Sequence, residues 1–187
     1  MGISRICRTI RKGCKSNSNI RHKKKSSKCK GAIFMNQELL KFIADSKKNG
    51  YASTTSKWKK VGGDGSKIII KKGNYTYEDT YFGGLVDSGQ ERVYNKGKVI
   101  WIMAYRGGII PKFESMQDEA FSFLKKCIGM MPKEFPARGP KSFKEEKFRY
   151  ENKWEGNIEG FIGEENIYFD NILVCFRHYL GGLIKNK

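Results

Sequence analysis

Two glutamates, Glu91 and Glu165, occupy the same position in two similar stretches of the sequence. Each lies two residues before an apolar residue, Val93 or Ile167, so glutamate and apolar residue share one face of a predicted strand. A carboxylate on the inward face of a sheet is unfavourable unless it is paired. If the two stretches meet about a twofold axis, the carboxylates converge in a groove. There they can bind a cationic or hydroxylated ligand, or serve as acid and base.

The alternative for both glutamates is a structural role, in which each pairs with Arg or Lys or accepts backbone N–H bonds. Arg138 and Arg177 are the predicted salt-bridge partners. Repeated tyrosines and a tryptophan near the glutamates are typical of core residues, and they also suit the walls of a small-molecule pocket. The binding hypothesis therefore predicts a groove lined by Glu91, Glu165, Trp101, Tyr105, Tyr179 and Arg138.

Nucleophilic catalysis has few candidate groups in this sequence. His178 is the only histidine after residue 34, and its counterpart in the other stretch is Ala104. Cys175 is three positions from His178 on one predicted strand, so their side chains point to opposite faces and no Cys–His dyad is predicted. Cys127 and Cys175 are typical of small core residues. We predict no catalytic residue, no metal and no cofactor.

The similarity between the two stretches indicates how the chain is built. Residues 89–110 and 163–184 agree at seven of 22 positions without a gap, where composition alone would give about one or two. After a slip of one residue, residues 75–85 align with residues 148–158. A helical pattern precedes each copy. We predict an α+β fold made by internal duplication of a helix-plus-antiparallel-strand unit, with one or two antiparallel sheets and the helices packed on one face.

Local patterns predict the details of these elements. Residues 95–97 (Asn-Lys-Gly) and 170–171 (Asp-Asn) separate apolar runs and predict hairpin turns. Residues 99–105 are apolar on both alternating faces, which predicts an interior strand covered on both sides. A first helix is expected to open at Met35 with Asn36 as its cap, and a second to be capped by Ser115.

The charge of the chain is concentrated at its start. Of the 37 Lys and Arg residues, 11 lie in residues 1–34 with no acid, so that residues 35–187 carry only +7 of the net charge of +18. We predict a basic, disordered leader (residues 1–34) followed by a single domain (residues 35–187) of two repeats, at about 36–112 and 113–187. Four residues of the leader are of zinc-ligand type, but they lack the close pairs of zinc sites: Cys7, Cys14, His22 and Cys29.

Composition also limits partners and compartment. The leader alone would bind nucleic acid weakly and without sequence preference, whereas the repeated segments carry acidic residues that disfavour a nucleic-acid platform. The five scattered cysteines indicate a reducing compartment, so a cytoplasmic protein is predicted. The apolar runs are too short for a membrane span.

Several quoted segments resemble a known family. "YTYEDTYFGG", "GQERVYNKGKVIWIMAYRGG", "ARGPKSF" and "FIGEENIYFDN" are similar to a family of small prokaryotic domains of unknown function, some longer members of which carry a helix-turn-helix in front. The likeness covers Met35 to about Leu183 and carries over no catalytic residue. It implies a sensor or oligomerisation module, with this chain as the stand-alone form.

Three functions stay open at this point. The first is a non-catalytic binding or regulatory domain with a small-molecule groove between its repeats. The second is a nucleic-acid-associated protein that uses the basic leader. The third is an enzyme that uses the paired glutamates.

Overall fold

A computed structural model describes the backbone of residues 27–185, with side chains from residue 37 onward. The helices are α1 (Ser27–Asn49), a 3-10 helix (Pro111–Met116) and α2 (Gln117–Gly129). The strands are β1 (Lys59–Val61), β2 (Gly65–Lys72), β3 (Tyr75–Gly83), β4 (Val86–Asn95), β5 (Lys98–Ile109), β6 (Ser142–Glu145), β7 (Phe148–Asn157), β8 (Gly160–Phe169) and β9 (Ile172–Leu183). Neither helix, over the part that is described, has the length and apolarity that crossing a membrane requires.

All nine strands form one antiparallel sheet in the order β1-β2-β3-β4-β5-β9-β8-β7-β6. Strands β1 to β5 follow one another in sequence on one side, and β6 to β9 do so on the other. The order is therefore mirrored about the β5–β9 pair, where Tyr105 lies opposite Tyr179. The predicted α+β class is confirmed, with one sheet rather than two.

Two tight hairpins lie where the sequence predicts them. Lys96 and Gly97 have φ values of 49° and 78°, and Asp170 and Asn171 have 46° and 66°. Two consecutive residues with positive φ are typical of the turn that matches the twist of paired strands. Each hairpin is followed by a register shift in its ladder, at Val93/Tyr94 and at Ile167/Tyr168.

Both helices cover the same face of the sheet. Alternate strand residues point towards them and form two adjacent hydrophobic cores. The first core joins α1 to β2–β5, through Leu39, Phe42, Ile43, Ile68, Tyr77, Val93, Trp101 and Met103. The second joins α2 to β7–β9, through Ala120, Phe123, Leu124, Cys127, Tyr150, Ile167, Val174 and Cys175. Burying one face of a sheet under helices is the economical solution for such strands.

Both predicted helix starts were wrong. Helix α1 begins at Ser27 rather than at Met35, because the residues between them include no proline and continue the helix. Ser115 lies inside the 3-10 helix, and Met116 takes the N-cap position of α2 without a side-chain bond. Pro111 explains this difference, because its fixed φ opens a helical turn earlier in the chain than the predicted cap.

Strand β5 is an interior strand, but only one of its faces is fully covered by described residues. Trp101 and Met103 are buried beneath α1, whereas Ile102 and Ala104 are half-buried on the opposite face. The prediction of cover on both sides is wrong because both helices lie on the same side of the sheet.

Two tyrosines of the central strands lie directly over glycines. A Cβ atom added at Gly89 would lie 2.5 Å from the Tyr105 hydroxyl, and one added at Gly163 would lie 2.5 Å from Cζ of Tyr179. Real Cβ atoms do not approach other atoms so closely. The two glycines are therefore required by the tyrosines that cover them.

We predict that Gly163→Ala destabilises the fold by about 1–3 kcal/mol, because the new methyl group meets both the Tyr179 ring and a backbone oxygen. Gly160→Ala is the matched control on the same strand, since a Cβ there meets no atom within 4 Å. Urea denaturation of both variants measures the difference. Equal unfolding free energies for the two variants would contradict the prediction.

Candidate functional site

Glu91 and Glu165 lie on the helix-covered face of the sheet, in β4 and β8, and each is only 2% exposed. The Lys47 ammonium group donates to Glu91 Oε1 at 2.6 Å. Arg138 donates from Nε to Glu165 Oε2 at 3.0 Å and makes a second bond to Oε1. Both carboxylates therefore have the basic partner that the structural alternative predicts, and Arg138 is one of the two partners named for it.

Glu165 is the centre of the larger charged cluster. Besides Arg138, it accepts a bond of 2.6 Å from the Tyr150 hydroxyl, and Arg177 Nε lies 3.7 Å from its Oε1. Burial favours the neutral acid, but the charges of Arg138 and Arg177 and the Tyr150 bond hold the pKa of Glu165 below its ordinary value. Burial likewise opposes the charge on Arg138, yet Glu165 raises the pKa of Arg138 well above its usual range. The two groups remain an ion pair.

Glu91 belongs to a second cluster with Lys47 of α1 and Asp79 of β3. Burial lowers the pKa of Lys47, and the charge of Glu91 only partly opposes this. Asp79 lies directly opposite Glu91 in the β3–β4 ladder and is 2% exposed. Burial and the neighbouring Glu91 charge raise the pKa of Asp79 to about 7. Asp79 accepts a bond of 2.8 Å from the Tyr105 hydroxyl.

The second half of the sheet repeats this last bond without a charge. The Tyr179 hydroxyl donates to Asn152 Oδ1 at 2.6 Å, and Asn152 Nδ2 donates to the Gly139 carbonyl at 2.8 Å. In the alignment of the two repeats, Asn152 corresponds to Asp79. An amide thus serves at one site where an acid serves at the other.

A cleft of about 340 Å³ opens next to these clusters, between strands β3–β5 on one side and α2 on the other. Its floor is Arg177, 5% exposed, which donates to the two Asp87 oxygens at 2.7 and 2.9 Å. The Arg177 guanidinium lies 5.0 Å from the centre of the Tyr105 ring. The remaining lining residues are Tyr51, Tyr81, Gly83, Gly84, Gln117, Asp118, Phe121, Ser122 and Lys125.

The predicted site residues do not all reach this cleft. Tyr105 lines the cleft, and Glu165 approaches it through Arg177. Glu91 and Arg138 are buried in the ion pairs behind it. Trp101 is fully buried and donates its indole N–H to the Ile158 carbonyl at 3.1 Å, and Tyr179 is buried against Asn152.

Sequence reasoning missed Lys47, Tyr51, Asp79 and Asp87, and also the α2 residues between Gln117 and Lys125 that line the cleft. A signal exists for Asp79 alone, because it stands where the other repeat has Asn152. Two predictions concern residues outside the described part of the chain. The first is nucleic-acid binding by the leader, since only the last residues of 1–34 are described. The second is the set of zinc-ligand-type residues that includes Cys7 and Cys14, which we did not predict to bind zinc.

Among the residues whose side chains are described, Cys127 and Cys175 are buried in the core, as predicted, and His178 lies at the surface. Burial raises the pKa of Cys127 and of Cys175 to about 12, so both thiols stay protonated at neutral pH. His178 is exposed on the opposite face of the sheet from the buried Cys175. The two side chains therefore form no dyad.

We predict that Asp79→Asn stabilises the protein at pH 8 and makes its stability less dependent on pH. The ordinary pKa of this acid is 3.8, and its pKa in the fold is about 7. Between these two pH values the folded state binds more protons than the unfolded state does. Wild-type stability therefore falls as pH rises through this window. At roughly 1.4 kcal/mol per unit, the gain at pH 8 is on the order of 1–4 kcal/mol.

Urea denaturation between pH 4 and pH 8 measures this effect as the difference between wild type and variant. Asp64→Asn, on an exposed turn, is the matched control. A wild-type curve that stays parallel to that of Asp79→Asn would show that Asp79 does not titrate in this window.

We predict that Glu165→Gln lowers the unfolding free energy by about 3–5 kcal/mol, because it leaves the buried Arg138 without its counter-charge. Glu159→Gln, at an exposed position, should change it by less than about 0.5 kcal/mol. Thermal and urea unfolding compare the two variants. A Glu165→Gln protein as stable as the Glu159→Gln control would mean that the buried pair contributes little.

Comparison with known proteins bears on this same part of the chain. A family model described as a domain of unknown function (DUF5680) matches residues 79–184. The matched segment begins at Asp79 in β3 and ends just after β9, so it includes Asp87, Arg138, Glu165 and Arg177. Comparisons with curated proteins and with solved structures gave no match. Because the matched residues are more than half of the 187, the chain belongs to the DUF5680 family.

Proposed function

We propose that the protein is a non-catalytic binding or regulatory domain that holds a small molecule in the cleft between its two halves. The observation that carries this proposal is the Arg177–Asp87 bond at the floor of the cleft, which joins β9 of the second half to β4 of the first. A molecule bound above it contacts both halves at once. Its binding energy then favours the one arrangement of the halves that the bond maintains.

The lining of the cleft indicates the chemistry of the ligand. Tyr51, Tyr81 and Phe121 offer flat apolar surfaces, and Ser122 on α2 adds a hydroxyl. The two acidic and two basic side chains of the lining cancel in charge. The volume is typical of a small-molecule site. These features suit a hydroxylated or zwitterionic molecule with a flat apolar part.

Binding is favoured over catalysis by the state of the two predicted glutamates. A general acid or base must reach the proton that it transfers. Glu91 and Glu165 are instead enclosed by Lys47 and Arg138, with 2% of each glutamate exposed. In this arrangement they hold the walls of the cleft in place.

We further propose that the two halves arose by internal duplication. Three correspondences support it: the mirrored strand order, the register shift after each central hairpin, and the φ of 153° shared by Gly108 and Gly182. Equivalent positions have since diverged. The alignment pairs Arg177 with Met103. Asp87 and Phe161 take equivalent places in the sheet, opposite Gly107 and Gly181, so the charged floor exists on one side only.

The equivalent of the cleft on the other side of the β5–β9 pair is filled. Trp154, which aligns with Tyr81, stacks on Phe135 with ring centres 4.4 Å apart. Phe161 packs edge-on against the same Phe135 ring at 5.1 Å, and Met103 belongs to this core. The proposal therefore gives one binding cleft within residues 37–185.

We predict that Ser122→Trp abolishes ligand binding, because an indole at this exposed position fills the cleft. Ser115→Trp is the matched control, since Ser115 is equally exposed but does not line the cleft. The measurement is saturation-transfer NMR on the full chain, with a probe panel of phenols, aromatic amino acids and polyols. Probes that bind wild type and Ser115→Trp but not Ser122→Trp support the cleft.

Two results would contradict the proposal. Probes that bind Ser122→Trp as well as wild type would place binding elsewhere on the protein. If no class of probe binds the wild-type protein, the predicted chemistry of the ligand is wrong. Circular dichroism of both tryptophan variants separates loss of binding from loss of fold.

A further inference from the structure

The face of the sheet opposite the helices is polar at its flanks and apolar at its centre. Most outward-facing residues of β2–β4 and β7 are charged or polar, namely Lys67, Glu78, Thr80, Gln90, Arg92, Arg149, Glu151, Lys153 and Glu155, and the exposed apolar exceptions are Ile69, Phe82 and Val86. This polarity is usual for a sheet face in contact with water. The apolar centre departs from that pattern.

Four aliphatic side chains form the apolar centre, which we name the central patch: Ile102, Ala104, Ile162 and Leu180. Ala104, Leu180 and Ile162 lie side by side on β5, β9 and β8. Ile162 and Leu180 are each 58% exposed. A shallow depression of about 400 Å³ adjoins them, lined also by Ser88, Arg106 and His178. An apolar patch with a polar rim marks an interaction surface.

We propose that the central patch is a self-association surface, on which two copies of the chain pack sheet against sheet about a twofold axis. The proposal goes beyond ligand binding and does not depend on it, because the cleft lies on the opposite face of the sheet. Two sheets packed in this way exclude water from both patches, as in a sandwich.

A second copy fits this face because the β4–β5 side and the β8–β9 side of the patch are equivalent in position and carry opposite charges, Arg106 and Glu164. An axis running along the β5–β9 seam sets β4 and β5 of one copy against β8 and β9 of the other. Ala104 then faces Leu180 of the second copy, and this contact occurs twice. Arg106 then lies over His178 of the second copy, and Glu164 is the neighbour of that histidine on β8, so the exposed Arg106 and the half-buried Glu164 approach across the interface.

The edges of the sheet do not compete with the face for this role. The two edge strands, β1 and β6, have only three and four residues, and the part of β2 that β1 leaves unpaired ends in Lys71 and Lys72. Short edges rich in charge resist strand-to-strand pairing. Ile162 and Leu180 of the central patch are also more exposed than Ile69, Phe82 or Val86 on the same face of the sheet.

The first test is sedimentation velocity of the full chain between about 1 and about 100 µM. We expect a species of twice the chain mass of 21.5 kDa. Leu180→Lys and Ile162→Lys should each weaken association at least about tenfold, because each puts an unpaired ammonium group into the apolar contact. Ile172→Lys is the matched control, since Ile172 is 56% exposed at the β8–β9 hairpin, far from the patch.

A charge exchange tests the twofold geometry itself. Arg106→Glu and Glu164→Arg should each weaken the dimer, and the double variant should restore it, because opposite charges again lie on neighbouring strands across the interface. This experiment also tests the proposed dimer if a lysine variant fails to fold.

Three outcomes would overturn the proposal. The first is a monomer at every concentration. The second is a dimer that both patch lysines leave intact, which would locate the interface elsewhere. The third is a double charge variant no better associated than either single variant. None of these results bears on the cleft, because Ser122 and the probes that bind near it lie on the other face.

Discussion

The pairing of buried charge beneath the sheet is the constraint on which the rest of the structure depends. Glu165 binds Arg138 from the segment after α2, Tyr150 from β7 and, at longer range, Arg177 from β9. Arg177 in turn holds Asp87 of β4. Because an unpaired buried charge is costly, these bonds fix the loop and four strands relative to one another. The floor of the cleft follows from that arrangement.

Much of the fold can be predicted because its signals are local. Glycine, asparagine and aspartate at a turn specify a hairpin through their own backbone preferences, and residues 95–97 and 170–171 therefore mark their turns correctly. Helix ends depend on which of several nearby signals acts first, and the cover of a strand depends on distant contacts. Ser115 is a plausible cap by type, but Pro111 had already begun the turn. Apolar residues on both faces of β5 predict cover on two sides, whereas both helices pack on one.

The candidate site is less predictable because its bonds span long distances in sequence. Glu91 and Glu165 could be found through the repeat, since a shared position draws attention to both. Lys47 lies 44 residues from Glu91, and Asp87 lies 90 residues from Arg177. The repeat identifies neither Lys47 nor Asp87. Nothing in the sequence distinguishes these two residues from an exposed lysine and an exposed aspartate. Asp87 and Arg177 become neighbours through the topology, which places β4 and β9 on opposite sides of β5.

The two similar halves of the molecule differ in how they fill the space beneath the sheet. The side built on Met103, Phe135 and Phe161 gains stability by excluding water from stacked rings. The side that contains Asp87 and Arg177 lacks these stacked rings and has a polar, water-accessible floor instead. A buried ion pair is a weaker source of stability than the apolar core found across the seam. Stability alone therefore explains the ion pair at the floor of the open cleft poorly, and this supports the binding role that we propose for the cleft.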